Sequence, residues 1–528
     1  MNKILVIRLG AIGDVILTSA ALLNLKLSFP KAEISFLTGI HLTGLAETFA
    51  GVDKVLPFPR KASALELFRM GEYLDKQNFD MVVDLHGNLR SFYLMKHIAA
   101  GVKVRYDKRT LERYSAVKFD KINNAAPHTI DLYNTAVLKA GGKIFARRPL
   151  LDLAFNRPKQ LKFDNRNKTV VIAPGASYPT KQWPQEKFAE LAVRIYNDFN
   201  CNIVLALTEP DADFANLTAE IPAESKALFL DVDLVKLAAV FSESDLIVCN
   251  DSALGHLGSA VGTPVAAIFG PTHPTLGFAP RGYKDIVIQS DEYCRPCSKH
   301  GKKPCSRDEQ YCFTLISVDL VIEQISRFLE DSYGEEKALF IDRDGTLIKE
   351  KNFLSDPDEV EPEENAIEAL KIAKESGYKI IVVSNQSGVA RGYFDEETVS
   401  RINQRVFELF ADGGVKIDQF LYCPHLKKAK LSQYKIDCNC RKPAPGMVEE
   451  AIEQFNINPF KSFIIGDKLS DVKLGFVVGS KSFLVRTGYG QKQEDLLKKI
   501  MSPRPEKVLK NLFEAVKYIT GDLDREEL

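Results

Sequence analysis

Asp342 and Asp344 stand two residues apart in the run FIDRDGT, just after an apolar stretch at 338–341 that reads as a buried strand. Two carboxylates so placed suit phosphoryl chemistry, one attacking phosphorus and the other protonating the departing alkoxide. Attack by an anion on a phosphate also requires neighbouring positive charge and hydrogen-bond donors. Ser384 and Asn385, following the apolar run 379–383, offer a hydroxyl and amides, and Lys442 offers a fixed cation. Asp467, after the apolar run 463–465, can complete a Mg2+ site. Each segment follows a candidate parallel strand or lies in a long loop, so all four can meet at the carboxyl edge of one sheet.

Cysteine and histidine form a second chemical pattern. Cys423-x-His425 and Cys438-x-Cys440 are separated by twelve residues and supply three thiolates and one imidazole, a closed four-coordinate zinc set. Ordinary core cysteines are the alternative, but a loop rich in Lys and Pro does not look like core. Zinc there would order the loop that carries Arg441 and Lys442, so its role would be positional. Cys294, Cys297, Cys305 and Cys312 form a further cluster whose spacing allows a metal without requiring one.

The first part of the chain carries different signals. In RLGAIGD, Gly10 and Gly13 suit a tight turn and Asp14 opens a helix, although a structural turn and a helix cap would use the same residues. The glycines do not match a dinucleotide fingerprint and no ribose-binding acid follows, which argues against a dehydrogenase. Lys181 lies in PGASYPTKQWP, and Asp251, Ser252 and His256 lie between a strand and a helix whose N-terminus suits a diphosphate. Asp211 and Asp213, like Asp231 and Asp233, have the spacing of metal ligands, but each pair precedes a helix-like run where Asp commonly caps. Lys96, Lys103, Arg105, Lys108, Arg109 and Arg113, against only two acids in that stretch, form a solvated face or an anion-binding one. His86, His128 and His273 sit beside turns and suit structural hydrogen bonds, with His128 also within reach of an acceptor.

The elements that must hold these groups alternate along the chain. Short apolar runs at 3–7, 34–37 and 81–84, then at 169–173, 202–207, 246–249 and 264–269, alternate with helix-length amphipathic stretches. A third series begins with 338–341, 379–383, 463–465 and 482–485. This is the pattern of parallel, doubly wound α/β sheets, expected as domains over 1–160, 161–332 and 337–520. At 528 residues the chain is too long for one ordinary core, and 45% hydrophobic residues suffice for several. Lys plus Arg and Asp plus Glu are both 70, so no overall field favours nucleic acid, and no nucleic-acid partner is expected. No apolar run reaches the ~18–20 residues of a membrane span. With nine cysteines and no secretion signal, a cytoplasmic, thiol-reduced protein is expected.

FIDRDGTLI, VVSNQSGVARGYF, CPH…CNCRKPAPGM and IIGDKLSD together resemble the haloacid dehalogenase superfamily. Within it they are most similar to the D-glycero-D-manno-heptose 1,7-bisphosphate 7-phosphatases, over about 337–489, with histidinol-phosphate phosphatases as relatives. The resemblance implies Asp342 as nucleophile and Asp344 as general acid and base. It implies Mg2+ held by Asp342, by Asp344 through its backbone carbonyl and by Asp467, with Arg441 and Lys442 on substrate phosphate. ILVIRLGAIGDVILTSAAL, VVDLHGNLRS, PGASYPTKQWPQEKFAEL and NDSALGHLGSAVGTPVAAIFGPT resemble the ADP-heptose:lipopolysaccharide heptosyltransferases, over about 1–330. That implies two Rossmann-like domains in a glycosyltransferase-B arrangement, ahead of the haloacid dehalogenase-like domain. Asp14 would be the base, Lys181 would neutralise the departing diphosphate, and the loop of Asp251, Ser252 and His256 would hold the donor. One acid among Glu209, Asp211 and Asp213 would also touch the donor.

The expectation is therefore a bifunctional enzyme of heptose metabolism. Its partners would be a heptose 1,7-bisphosphate, a nucleotide-activated heptose and a lipopolysaccharide inner-core acceptor, with peripheral contact at the inner membrane. The two steps are not consecutive, because a nucleotidyl group must be attached between them and no third catalytic unit is visible. Two alternatives differ in kind: a phosphatase of histidinol phosphate or another sugar phosphate, and a first half that only binds or docks.

Overall fold

The computed structural model describes all residues except 119–125, 155–156, 164–166, 209–212, 331–335, 499–502 and 522–528. It divides into two compact units, Met1–Gly334 and Glu335–Leu528.

The first unit contains two parallel sheets. In one, β1 (Lys3–Ile7), β2 (Glu33–Gly39), β3 (Lys54–Phe58), β4 (Met81–Asp84) and β5 (Val102–Arg105) lie in the order 3-2-1-4-5. In the other, β6 (Thr169–Ala173), β7 (Asn202–Leu207), β8 (Lys226–Leu230), β9 (Leu246–Asn250), β10 (Val265–Phe269) and β11 (Ile286–Gln289) lie in the order 11-10-9-6-7-8. The second unit repeats this plan. Its strands β12 (Lys337–Ile341), β13 (Tyr378–Asn385), β14 (Gln419–Cys423), β15 (Phe463–Gly466), β16 (Lys481–Val485) and β17 (Lys507–Leu509) run in the order 14-13-12-15-16-17.

Central strands such as β6 (TVVIA), β9 (LIVCN) and β10 (VAAIF) are apolar along almost their whole length because helices cover both faces of a parallel sheet. Each sheet reverses its direction of growth once: between β1 and β4, between β6 and β9, and between β12 and β15. At such a point adjacent loops leave in opposite directions and open a crevice at the carboxyl ends of the strands.

Within the first unit the two sheets meet through the helices Ile12–Leu17 and Ala253–Val261. A side chain at Gly13 would come within 2.8 Å of the His256 ring, so glycine is what permits this approach. Around that contact, His128 Nε2 bonds the Ala279 carbonyl at 2.9 Å and the Thr129 hydroxyl donates to the Gly277 carbonyl at 2.9 Å. His128 thus joins the two halves through its backbone partner.

One buried ion pair fastens the first sheet. Lys26 Nζ lies 2.7 Å from Asp53 Oδ2 and donates to the Ala32 carbonyl, while Asp53 accepts from the Ile34 amide at the start of β2. Lys26→Met would leave the Asp53 charge in the interior without its counter-ion. The expected cost is about 3–5 kcal/mol, measured as lost protection of the β2 amides in native-state hydrogen exchange; unchanged protection would contradict the assignment.

Candidate active sites

In the second unit, β12 delivers Asp342 and β15 delivers Asp467 to the two sides of the switch point. Asp471 joins them from the first turn of the helix Leu469–Val478. Carboxylate oxygens of these three buried acids lie within 4.8 Å of one another. Two lysines hold them there. Lys442 Nζ is 2.9 Å from Asp342 Oδ1 and 2.6 Å from Asp471 Oδ1, and it donates to the Val383 carbonyl at 2.8 Å. Lys468 Nζ is 3.0 Å from Asp467 and 3.5 Å from Asp342.

The electrostatics follow from burial and neighbours. Burial alone would raise Asp342, but Lys442 and Lys468 outweigh it and hold this carboxyl below its ordinary range. Asp467 goes the other way: burial, then the charge of Asp342, push it up to about 7. Gly345 and Gly488 close over Asp467, where an added Cβ would lie within 2.5 Å and 2.4 Å of its Oδ2. This donor set of crowded oxygens, short of positive charge, fits a hard divalent cation.

Asp344 is oriented separately from that cluster. Its Oδ2 accepts from Gln386 Nε2 at 2.8 Å, and the buried Arg343 guanidinium reaches it at 3.1 Å while donating to Asn403 Oδ1 at 2.7 Å. Ser384 lies beside it, with Gln386 Nε2 donating to its hydroxyl at 2.6 Å. Asn385 is engaged with the loop of Lys442: its side chain accepts from the Lys442 amide at 3.0 Å and donates to the Lys442 carbonyl at 3.2 Å. Arg441 donates to the His425 carbonyl at 3.0 Å. The expected phosphate contacts Ser384, Asn385, Arg441 and Lys442 are therefore gathered at one end of the sheet, Lys442 bonded to the nucleophile candidate itself.

Cys423, His425, Cys438 and Cys440 form a compact set. Cys440 Sγ is 3.1 Å from Cys423 Sγ and 3.2 Å from Cys438 Sγ, and His425 Nδ1 is 3.3 Å from Cys440 Sγ. Tetrahedral zinc with ligands at ~2.0–2.3 Å requires ligand atoms ~3.3–3.8 Å apart; Cys423 Sγ lies 3.5 Å from Cys438 Sγ and 3.7 Å from His425 Nδ1, and the two sulfur contacts of Cys440 are only slightly shorter, so the set suits zinc after a small adjustment. A bond from Cys423 draws the Cys440 thiol down to about 5. The loop between the pairs is pinned by Tyr434, whose hydroxyl donates to Glu396 at 2.8 Å, and by the Lys430 amide on the Ala390 carbonyl at 3.0 Å.

The first unit has a cleft of about 800 Å³ at the facing carboxyl edges of its two sheets. Gly10 enters from the turn after β1 and Gly13 and Asp14 from the helix that follows it; Lys181 from the segment after β6; Asp251 and Ser252 from the turn after β9 and His256 from the helix Ala253–Val261. Asp14 lies in the first turn of its helix and forms an ion pair with Arg8. Arg8 is nearly buried; burial opposes its charge, but the Asp14 carboxylate, with the phenol groups of Tyr133 and Tyr106, outweighs this and raises its pKa. Lys181 Nζ is 2.6 Å from Asp251 Oδ2, which also accepts from the Thr272 hydroxyl at 2.7 Å. Ser252 caps the helix Ala253–Val261. His256 is buried on that helix, and burial lowers its pKa.

Several lining groups were not singled out from the sequence: Arg60 and Arg90 on the first-sheet side, Lys299, His300 and Lys302 on the other. His86 also lines the cleft, with burial pushing its imidazole down to about 3. His273 caps a short turn through the Thr275 amide, a structural role. The basic run is divided. Arg105 pairs with Asp84, Arg109 with Asp107 and Glu112, and Arg113 is buried over the Phe278 ring. Asp233 caps the helix Leu234–Ser242 through two amides. Glu209 and Asp211 lie outside the described residues; Asp213 precedes the helix Phe214–Leu217 and is not among the residues lining the cleft. No helix among the described residues is long and apolar enough to cross a membrane.

Comparison with known proteins matches both units. Residues 67–306 match the family described as glycosyltransferase family 9 (heptosyltransferase), and residues 439–515 match a HAD-hydrolase-like family. A D-glycero-beta-D-manno-heptose-1,7-bisphosphate 7-phosphatase of Pasteurella multocida is 39% identical over 183 residues, 34% of this chain and 98% of that one. A D-glycero-alpha-D-manno-heptose-1,7-bisphosphate 7-phosphatase of Photorhabdus laumondii is 37% identical over 158 residues, 30% of this chain and 86% of that one. The crystal structure of a family 9 glycosyl transferase from Veillonella parvula aligns with 62% of this chain and 97% of its own, at 21% identity and a TM-score of 0.50, a likeness of fold.

The two bonds between Asn385 and the Lys442 peptide generate a direct test. Asn385→Ala should release that peptide at a cost of about 1–3 kcal/mol, seen as faster hydrogen exchange at the Lys442 amide, while the β12 amides keep their protection. Equal exchange in both proteins would show that the loop is held by something else.

Proposed function

The chain belongs, through its second unit, to the heptose 1,7-bisphosphate 7-phosphatase family, joined here to a glycosyltransferase family 9 unit, and from that we propose an enzyme with two separate reactions. The second unit would remove the 7-phosphate of a D-glycero-D-manno-heptose 1,7-bisphosphate. The first would move heptose from a nucleotide-heptose to a lipopolysaccharide core acceptor with inversion. The observation that carries the first half of this reading is the position of Lys442, bonded to Asp342 at the switch point of a sheet with two further buried carboxylates beside it.

In the phosphatase, Asp342 attacks phosphorus in line with the sugar oxygen and becomes an aspartyl phosphate, and Asp344 gives that oxygen a proton. Gln386 and Arg343 hold Asp344 ready for this transfer. Asp344 then takes a proton from water as the water attacks the aspartyl phosphate, returning both residues to their starting states. Asp342, Asp467 and the Asp344 carbonyl would hold Mg2+, which when bound neutralises phosphoryl oxygen charge. Lys442, Ser384, Asn385 and Arg441 would meet the phosphate directly or fix the loops that do. The two relatives act on opposite anomers, so the anomer is a matter for assay.

In the transferase, Asp14 would accept the proton of the attacking hydroxyl while Lys181 and the N-terminus of the helix Ala253–Val261 take up charge on the departing diphosphate. Lys181 would leave Asp251 for that diphosphate. Ser252 and His256 would line the donor.

Two substitutions separate the reactions. Asp342→Asn should lower phosphate release from heptose bisphosphate by roughly 10⁴-fold or more, with heptose transfer intact. Asp14→Asn should lower transfer of labelled heptose to a truncated acceptor by roughly 10²–10⁴-fold, with phosphate release intact. If histidinol phosphate were hydrolysed faster than either heptose bisphosphate anomer, the substrate assignment would be wrong. If no heptose moved to any core acceptor, the first unit would be a docking module.

Zinc at Cys423, His425, Cys438 and Cys440 would hold the loop that ends in Arg441 and Lys442. Lys427, Lys428, Lys430 and Lys435 are exposed in that loop. Stripping zinc with a strong chelator should therefore speed tryptic cleavage at these lysines and lower phosphatase kcat together. Cleavage at the original rate after verified zinc loss would refute the positional role.

A further inference from the structure

We propose that the paired helices Ala64–Asp75 and Leu89–His97 of the first unit form a face that docks on an anionic lipid bilayer. Neither reaction above uses the outward side of these helices. Large apolar side chains stand on it: Leu89 is 87% exposed, Leu65 57% and Phe68 48%, with Phe92 also exposed. Single surface leucines are ordinary, but these share one surface. Phe68 meets the His97 ring at 5.7 Å and His97 meets Tyr93 at 5.6 Å, so the rings run from one helix to the other. Gly71 permits that approach, because a Cβ there would come within 2.9 Å of the His97 ring.

The core does not require these residues. In the second helix Ser91, Leu94 and Met95 are buried, while Leu89, Phe92 and Lys96 recur at spacings of three and four on the opposite side. Positive charge surrounds them. Lys96 and Arg105 lie over the Phe92 ring, 5.6 Å and 5.2 Å from its centroid, and Lys103 Nζ donates to the Lys96 carbonyl at 3.4 Å. Arg69 is exposed one residue after Phe68. Glu66 and Glu72, on the same helix, are engaged: Glu66 closes a capping box with Ser63, and Glu72 bonds His97 at 3.0 Å.

This mixture selects lipid over protein as the occupant. The core of a protein interface is depleted in lysine. At a bilayer surface the stems of Lys and Arg lie along the apolar layer and their charged ends meet anionic headgroups, while Leu and Phe enter below them. Arg90 donates to the Arg60 carbonyl at 3.0 Å at one end of the face, and both, with Asn88, also line the cleft. Docking therefore sets the mouth of the cleft at the lipid surface, where an acceptor carried by a lipid presents its polar end. That consequence rests on the transfer reading; the docking does not.

Sedimentation of the full-length protein with vesicles tests the face. Vesicles of phosphatidylglycerol and phosphatidylcholine in equal parts should bind it at least ~10-fold more strongly than vesicles of phosphatidylcholine alone. Leu65→Ser/Phe68→Ser/Leu89→Ser should weaken binding to the mixed vesicles ~10-fold, and Lys96→Glu/Lys103→Glu should weaken it by a similar factor. Circular dichroism, phosphate release and transfer to a water-soluble truncated acceptor should be unchanged in both variants, while transfer to an acceptor embedded in the vesicles should fall with binding. No binding, equal binding to both kinds of vesicle, or binding undiminished by the triple substitution would overturn the docking. A dimer that the triple substitution dissociates, with no vesicle binding, would give the face to a second copy instead. Should the unaltered protein bind the mixed vesicles but transfer heptose to neither acceptor, the docking would stand and the transfer reading would fall.

Discussion

Buried negative charge at a sheet's switch point is the constraint around which the second unit is built. Asp342, Asp467 and Asp471 are removed from water within ligand distance of one another, against the ammonium groups of Lys442 and Lys468. Three carboxylates and two lysines leave the group one positive charge short, and Asp467, raised to about 7 by burial first and by the charge of Asp342 second, is the member that feels it. Unpaired buried charge is expensive, so the arrangement is stable only if a proton or a cation completes it. Glycine at 345 and 488 is part of the same constraint, because any side chain there would strike Asp467.

The first unit meets the problem of an anionic ligand differently. Its cleft opens between two sheets, so its charges can be held as separate pairs, Arg8 with Asp14 and Lys181 with Asp251. Each pair is satisfied without ligand, and each must be reorganised for a ligand to use the cation. Arg8, fixed by a hydrogen bond to the Leu85 carbonyl at 2.8 Å and lying over the Tyr133 ring, is the less able to move. Lys181 sits on a short turn with no buried anchor of its own beyond Asp251. The asymmetry marks Arg8 as the cation held in place beside its carboxylate and Lys181 as the less constrained of the two.

Central strands were legible because burial on both faces leaves an unbroken apolar run; TVVIA, VAAIF and LVI need no context to be read. Edge strands were not. β5 (VKVR) and β8 (KALFL) have one solvated face and carry lysine or exposed leucine, so they resemble loop or helix in the sequence. The same logic governs the sites. Asp342, Asp467 and Asp251 follow strands directly and Asp14 lies in the first turn of the helix after β1, and the end of a parallel strand is a place where chemistry can be anticipated. Asp471 reaches the same cluster from a helix four residues after Asp467, and its spacing in GDKLSD reads equally well as a cap on that helix. Arg60, Arg90 and Lys299 line the other cleft from segments whose convergence is a property of the closed fold. The basic run from Lys96 to Arg113 shows the reverse: adjacency in sequence gave the look of a patch, and the turn before the helix Thr110–Lys118 sends Arg113 inward onto Phe278.

The cluster of Cys423, His425, Cys438 and Cys440 lies in a long irregular segment that leads directly to Lys442 beside Asp342. Regular structure cannot do this alone, because a loop carrying several lysines has little apolar surface with which to bury itself and loses conformational entropy when it is ordered. Crosslinking a loop at its base shortens the part that must be ordered by the ligand. In the loop of 423–440 the closely spaced sulfur and nitrogen donors meet that need beside Arg441 and Lys442. Thiolates suit this task because they can hold an ion tightly within a few residues of chain and need no apolar surface to do it.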